Sequence, residues 1–350
     1  MIGGSVSVTI VTYNSARFIS QCLQYVLEQD HPQLDVIVID NASSDETAAL
    51  LVPWNAFEGR VRVVHNSTNT GFAQAQNQAI KLSSSDWILT LNPDVRLTRE
   101  FVTMMIAAGQ AESDIGSVAG KLLAMSPDFE VPPAPVIDST GIYFTPNFRH
   151  FDRAGKQPDT GAYEQCEYVF GVTGAAALYR RRMIDNVAVN GDFFDPDFFA
   201  YREDADVAWR AQLLGWKCVY TPCAIAYHVR TVLPSERSSV ASVLNMHSVK
   251  NRFLMRIKNA TPKLYLRCFL AVTFRDLVVI AACFLLEWSS LAAFPIVLRA
   301  FKRKWAERTV IMRRRRSSDQ YINAWFSNTP VSYPAPKIAA KTLASLAAKR

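Results

Sequence analysis

The densest group of chemically capable side chains is Phe198-Phe199-Ala200-Tyr201-Arg202-Glu203-Asp204-Ala205-Asp206, where aromatic bulk runs directly into three carboxylates. Crowded, partly buried carboxylates hold their protons to higher pH than usual, which is what a general base for a hydroxyl group requires. Two of the three also have a structural reading: Asp206 suits the N-cap of a helix over 207–214, and Glu203 suits an ion pair with Arg202 or Arg210, while residue chemistry alone leaves Asp204 level with both as a candidate base. Asn92-Pro93-Asp94 places one carboxylate after an apolar run, where it could hold a divalent cation bridging phosphates, although the same tripeptide also makes an ordinary turn. His228 follows Asp204 across one helix and one strand, so it can return to the same groove and join Asp94 at a metal; an isolated histidine is otherwise more often structural. His31, His65, His150 and His247 have no comparable setting.

Two further segments open helices. In Asp40-Asn41-Ala42-Ser43-Ser44-Asp45, Asp40 stands at a strand end and can accept hydrogen bonds from a base or ribose, whereas Asp45 suits a helix cap. In Gly71-Phe72-Ala73-Gln74-Ala75-Gln76-Asn77, the glycine would let the backbone approach a nucleotide closely, or simply make the turn before the helix. Neither G-x-G-x-x-G nor G-x-x-x-x-G-K-[ST] occurs, so a dinucleotide dehydrogenase and a P-loop NTPase lose most of their support.

The elements that must position these residues follow an α/β alternation, the pattern of βαβ units around a mostly parallel sheet. Strands are expected at 6–11, 36–39, 61–64 and 87–91, and helices at 16–28, 46–51 and 73–82. Each strand ends in polar residues, at Thr12-Tyr13-Asn14, Asp40-Asn41, His65-Asn66 and Asn92-Pro93-Asp94, the edge where ligands of open α/β sheets bind. From 101 to 170 the pattern loosens around Pro127, Pro132, Pro133 and Pro135, which suggests a connecting region with an acceptor-facing loop. A strand is expected again at 169–179, a helix at 207–214, and a strand at 219–227 interrupted at Pro222.

The chain has 350 residues, enough for one large core and a further module. Its net charge of +7 conceals an asymmetry: residues 1–250 carry 19 Lys and Arg against 27 Asp and Glu, and residues 251–350 carry 19 against 4. Residues 264–299 are the most apolar stretch, punctuated by Arg267, Arg275, Asp276, Glu287 and Arg299. The uncharged runs 277–286 and 288–298 fall short of the ~20 residues a spanning helix needs, and a single span would bury Glu287 near its middle. The stretch is therefore expected to form helices lying in a membrane interface, followed by a cationic segment from Lys302 to Arg316; a helical hairpin packed on the catalytic core is the alternative. Aromatic residues are not interleaved with Arg313–Arg316, which argues for an anionic membrane surface and against nucleic acid. The six cysteines show no CxxC pairs or regular framework and are expected to be reduced and mostly buried. A strand-like run begins almost at once, so no secretory signal is expected, and a cytoplasmic location follows. The expected organisation is a catalytic domain at 1–250, a basic amphipathic helical region at 251–330 and a flexible tail at 331–350.

Taken in order, Thr9-Ile10-Val11-Thr12-Tyr13-Asn14, Val38 to Asp45, Asn69-Thr70-Gly71-Phe72-Ala73, Leu91-Asn92-Pro93-Asp94, Gly171 to Ala175 and Glu203-Asp204-Ala205-Asp206 closely resemble glycosyltransferase family 2, nearest its bacterial rhamnosyltransferase-like branch. Val249-Lys250-Asn251-Arg252-Phe253, the apolar helices and the Arg-rich segment resemble that branch's C-terminal extension. The resemblance implies a GT-A fold, a nucleoside-diphosphate sugar donor, a divalent cation (Mg²⁺ or Mn²⁺) and a single-displacement, inverting mechanism. It implies nucleotide-sugar contacts at Thr12, Tyr13, Asn14, Asp40, Asn41, Gly71 and Asn92, with Asp40 reaching a pyrimidine base. Asp94 matches the last acid of the family's DxD motif and His228 a histidine completing the metal site; Asp204 would take the acceptor proton, and Gly174, Ala175 and Glu203 would line the acceptor side. One departure is Asn92 in place of the first acid, a neutral amide that weakens metal affinity in principle. The branch implies transfer of L-rhamnose from dTDP-rhamnose to a polyprenyl-diphosphate-linked saccharide at the cytoplasmic face of the membrane, in cell-surface polysaccharide assembly. Galactofuranosyl, glucosyl or N-acetylhexosaminyl transfer on the same fold and a non-catalytic nucleotide-sugar-binding scaffold are the alternatives.

Overall fold

A computed structural model describes residues 3–229 and 240–335. Arg230 and residues 336–350 of the expected flexible tail at 331–350 lie outside the described residues, whereas Tyr333–Pro334 within it pair as a short strand. The first four expected strands form as β1 (Val6–Thr12), β2 (Leu34–Asp40), β3 (Val61–His65) and β4 (Trp87–Leu91). All pair in parallel in the order β4-β1-β2-β3. Helices α1 (Ile19–Leu27), α2 (Thr47–Leu51) and α3 (Phe72–Leu82) make the crossovers. Register matters for the site: Thr12 lies opposite Asp40, Asp40 opposite His65, and Ile10 opposite Leu91, so the polar strand ends form one edge.

The region from 101 to 170, where sequence periodicity fails, is structured throughout much of its length. After the short β5 (Val95–Leu97) come α4 (Phe101–Gly109), β6 (Ile115–Ala124), β7 (Ile137–Ser139), β8 (Ile142–Phe144), β9 (His150–Asp152) and β10 (Glu167–Val169). All of β6 but its last residue is buried, so it lacks the alternation that marks a half-buried strand, and the prolines fall in the loop that follows it. The expected strand at 169–179 is two strands, β10 and β11 (Ala176–Arg180). They part because Gly171 passes against the next helix, where an added Cβ would come within 2.3 Å of Ala208. After α5 (Arg181–Val187), that helix is α6 (Glu203–Leu213), which begins earlier than the expected 207. Its N-cap is Arg202, in the left-handed region at φ 72°, and Glu203, Asp204 and Asp206 lie inside the helix where carboxylates complement its dipole. Trp209 seats α6 in an aromatic cluster with Phe144, Phe148 and Phe326 at centroid separations of 4.9–5.4 Å. β12 (Lys217–His228) completes the centre of the sheet, with a register shift between Tyr220 and Ile225 that accommodates Pro222.

The C-terminal region adds α7 (Val240–Asn259), α8 (Pro262–Leu285), α9 (Ala293–Arg314), α10 (Asp319–Ala324) and a two-residue β13 (Tyr333–Pro334) that pairs with β10 at the sheet edge. Thr261 caps α8 by accepting from the Leu264 N–H at 3.2 Å, with Pro262 at the first helical position. Glu287 lies beyond the end of α8, not within an apolar span, and initiates a short 3₁₀ turn at Trp288–Ala292. This corrects the expectation from uncharged runs: α8 tolerates Arg275 and Asp276 and, at 24 residues, is long and apolar enough to cross a bilayer by length and composition alone. Asp276 is satisfied by Arg252 and Arg256 of α7, which explains its place in an apolar helix. Along the cationic segment, several charges are turned inward: Lys304 is buried on Asp195 and Glu307, Arg308 and Arg314 bond backbone carbonyls, and Arg315 pairs with Asp319.

Candidate active site

At the sheet edge, Asp40 is buried and collects three neighbours. Thr12 Oγ1 donates to its Oδ1 at 3.2 Å, Ser43 Oγ donates to the same oxygen at 2.5 Å, and His65 Nδ1 stands 3.2 Å from Oδ2. Sequence reasoning set His65 aside, yet the parallel register that ends β2 on Asp40 and β3 on His65 was the signal that could have found it. Tyr13 is half-exposed beside this cluster, free to stack on a planar ring. Asn14 sits at φ 52°, a conformation asparagine tolerates, and its Oδ1 accepts from the Ser44 N–H at 2.8 Å. Asp45 accepts from the N–H groups of Thr47 and Ala16, a loop-closing role.

Two expected nucleotide contacts are occupied within the protein. Asn41 is buried, donates to Asn69 Oδ1, and accepts from Asn66 and Thr70, tying the end of β2 to the loop before α3. Gly71 does permit a close approach, at φ 84°, but the approaching group is Phe199, whose ring and carbonyl would lie 2.5–2.7 Å from an added Cβ.

Asp94 and His228 meet where the end of β12 pairs with β5, His228 opposite Val95, with Nε2 3.5 Å from Oδ1. His228 Nδ1 lies 2.8 Å from Asp138 Oδ2 on β7. With Nδ1–H given to Asp138, the Nε2 lone pair faces Asp94, the carboxylate–histidine arrangement that orients metal ligands. The donor set therefore fits a divalent cation. Among the described residues no group of three or more His, Cys, Asp or Glu is gathered for a metal ion, so phosphate oxygens and water would complete the coordination. Burial opposes charge on His228, but its hydrogen bonds to Asp138 and Asp94 outweigh that and raise it to about 9 in the absence of a cation. Asp138 lies in the region that could not be read from sequence.

Asp204 lies a short backbone bridge away. Gly174 N–H donates to Asp204 Oδ2 at 3.0 Å, and the next carbonyl, Ala175 O, accepts from Asn92 N–H at 2.9 Å. Burial raises the Asp204 pKa, while the N–H groups of Gly174 and Ala205 favour its charged form. Glu203 is pushed up to about 8, by burial first and then by the charge of Asp204, and its Oε2 is buried with no hydrogen-bond partner among the described residues. Glu203 is therefore held protonated at neutral pH beside Asp204. Asp206 is not the helix cap. Its oxygens are enclosed by Arg210 Nε at 2.9 Å, Lys258 Nζ at 2.9 Å and Asn259 Nδ2 at 2.7 Å.

The loop before Asp204 is strained, with Phe199, Tyr201 and Arg202 all at φ between 62° and 72°, each costing about 1–3 kcal/mol. Asn251 of α7 offsets this: its fully buried amide donates to the carbonyls of Phe198, Ala200 and Tyr201 at 2.8, 2.9 and 2.7 Å. Sequence reasoning noted the segment around Asn251 but gave the residue no task.

Residues 7–188 match the family described as Glycosyl transferase family 2, just over half of the chain. Over 287 residues, 80% of the chain and 64% of the relative, it is 22% identical to poly-beta-1,6-N-acetyl-D-glucosamine synthase of Staphylococcus epidermidis. Over 89 residues, 25% of the chain and 30% of the relative, it is 27% identical to glycosyltransferase GlyG of Streptococcus pneumoniae. The chain thus spans less than two thirds of the length of these curated relatives. Among solved structures, it is similar to GalNAc-T7 with UDP, GalNAc and Mn²⁺ at a TM-score of 0.59 and 14% identity, covering 73% of this chain and 48% of that one. It is also similar to mannosyltransferase PcManGT from Pyrobaculum calidifontis in complex with GDP-Man and Mn²⁺, at a TM-score of 0.50 and 17% identity, covering 92% and 87%. Those likenesses are of fold, and the fold is GT-A. With the strand-end motifs from Thr12 to Asp94 and the Gly174 bridge all inside the matched stretch, the chain belongs to glycosyl transferase family 2.

Proposed function

We propose that the chain transfers one glycosyl unit from a nucleoside-diphosphate sugar to an acceptor hydroxyl with inversion, using Asp204 as general base. The observation that carries this reading is the bridge Asp204–Gly174–Ala175–Asn92, which joins a partly buried carboxylate of raised pKa to the loop bearing Asp94. Asp204 removes the hydroxyl proton as the acceptor oxygen bonds to the anomeric carbon, and the bond from that carbon to the diphosphate breaks on the opposite side. Asp40 and Tyr13 receive the base and ribose. Asp94 and His228 hold a divalent cation, which supplies positive charge against the departing diphosphate.

For the donor we infer dTDP-rhamnose, from the motif resemblance to the rhamnosyltransferase-like branch; UDP-N-acetylglucosamine is the second reading, favoured by the name of the synthase relative. The acceptor we infer is a lipid-linked saccharide, at the cytoplasmic face of the membrane. Support comes from the apolar surface of the C-terminal helices: Leu266, Leu270, Phe274 and Leu277 of α8 are exposed, as are Leu286 and Trp288 in the following turn and Leu298 of α9. A contiguous surface of this kind marks a membrane or partner contact. The test is nucleotide release from a panel of nucleotide sugars, with and without a lipid-linked acceptor, before and after chelation. Acceptor-stimulated release from one donor, abolished by chelation, is expected; no release from any donor would sink the transferase reading.

A further inference from the structure

Behind Asp204 lies a group of arginines that the reaction as described does not use. Arg149 precedes β9, Arg202 precedes α6, Arg252 and Arg256 lie on α7, and Arg275 lies on α8. They are mutual neighbours: the charges of Arg252, Arg149 and Arg275 all act on Arg202, and Arg275 acts on both Arg149 and Arg252. Asp276 is spent on Arg252 and Arg256. Arg202 bonds Ser248 and the Nδ1 of His150, which burial and the neighbouring arginines hold neutral, lowered to about 3. Arg149 lies over the Phe151 ring at 4.5 Å. Among the described residues neither Arg149 nor Arg275 has a carboxylate partner, and Arg275 Nε is buried without any hydrogen-bond acceptor.

Gathering like charges away from water is costly unless an anion answers them. The position of the group says which kind of anion. On one side is Asp204, whose charge also acts on Arg202; on the other is the exposed apolar surface of α8, where Val278 stands one turn beyond Arg275 and Phe274 just before it. An amphiphile laid across these features would present a sugar hydroxyl to Asp204, its phosphate to the arginines and its hydrocarbon chain to α8. We infer that Arg149 and Arg275, backed by Arg202 and Arg252, bind the phosphate or diphosphate that joins the acceptor sugar to its lipid. This rests on the lipid-linked acceptor reading above. Guanidinium forks suit that ligand, since they make paired, charge-assisted hydrogen bonds to phosphate oxygens. The competing source of the same chemistry is the headgroup of a bilayer phospholipid.

The experiment compares the full chain with Arg149→Gln/Arg275→Gln. It uses two soluble acceptors with the same sugar, one on a short-chain alkyl diphosphate and one on a plain alkyl chain, together with calorimetric binding of the sugar-free alkyl diphosphate and co-sedimentation with phosphatidylglycerol vesicles. The double variant should raise KM for the diphosphate acceptor roughly tenfold or more beyond any change for the phosphate-free one, and weaken alkyl diphosphate binding to match. Arg62→Gln on β3, far across the sheet, controls for charge removal and should leave that ratio as it is. Equal penalties on both acceptors, or unchanged alkyl diphosphate binding, would overturn the assignment. So would a loss confined to vesicle binding, which would give the arginines to the bilayer. If the double variant melts early, Arg149→Gln alone carries the same comparison, because Arg149 makes no ion pair among the described residues. Alkyl diphosphate binding that depends on these arginines, in a protein that transfers no sugar, would keep the site and discard the transferase reading.

Discussion

Asp204 and Asp206 stand two residues apart on one helix, the first partly and the second fully buried, and their surroundings are opposite. An α-helix turns the two side chains about 200° apart, so one faces the sheet edge and the other faces α7. Asp204 meets two backbone N–H groups and keeps a raised pKa. Asp206 is the deeper of the two, yet Arg210 and Lys258 overcome its burial and hold its pKa below the ordinary range. Residue type is shared and depth would push the other way; the partners decide. A carboxylate answered by cations is fixed as an anion and made inert, whereas one answered by neutral donors can still take up a proton.

The contrast predicts separable failures. The largest is in Asp204→Asn, which should slow transfer by ~10²–10⁴ while donor binding and the melting temperature stay near wild type, as read by nucleotide release and calorimetry. Transfer at the wild-type rate would remove Asp204 from the chemistry. Asp206→Asn should do the reverse. It takes from buried Arg210 its carboxylate partner and leaves Lys258 with Asp195, and should cost about 3–5 kcal/mol in denaturant unfolding, with the rate per folded molecule little changed. Asn251→Ala falls between them: three carbonyls lose their donor, for about 1–3 kcal/mol of stability, and misplacement of Asp204 should show as a lower kcat at unchanged donor KM. The smallest effect is that of Glu203→Gln. Since Glu203 is protonated below about 8, the amide imitates its neutral state, and the two enzymes should match at pH 7. Above about 8 the wild type gains a negative charge beside Asp204 on the acceptor side, so its acceptor KM should change while that of the variant does not. Parallel pH profiles would show that Glu203 does not titrate there.

Much of this was legible in the sequence, for reasons particular to each part. Val- and Ile-rich runs ending in Thr12, Asp40 and Asp94 fixed the parallel block, because strand ends in such sheets are where polar residues accumulate. His228 could be joined to Asp94 because one helix and one strand return the chain to its starting edge. Asp138 could not be found, since β7 is three residues long and follows a proline-rich loop. The separate fates of Asp204 and Asp206 were also hidden: their partners Lys258 and Asn259 lie some fifty residues on, where no local pattern points back to α6. Asp206 read as a cap because the helix was started four residues late, and the actual cap is a left-handed arginine that composition does not announce.

The clamp made by Asn251 bears on how such a protein can be rearranged. The helices after residue 250 look like an exchangeable cassette that addresses an acidic transferase to a particular surface. Yet Asn251 holds the backbone ahead of Asp204, and Lys258 and Asn259 hold Asp206. A chimera joined at that point would take its C-terminal helices from one parent and, with them, the setting of Asp204 belonging to the other. Recombination is therefore expected to succeed where α6 and α7 travel together, which makes those helices and the alignment of Asp204 a single inherited unit.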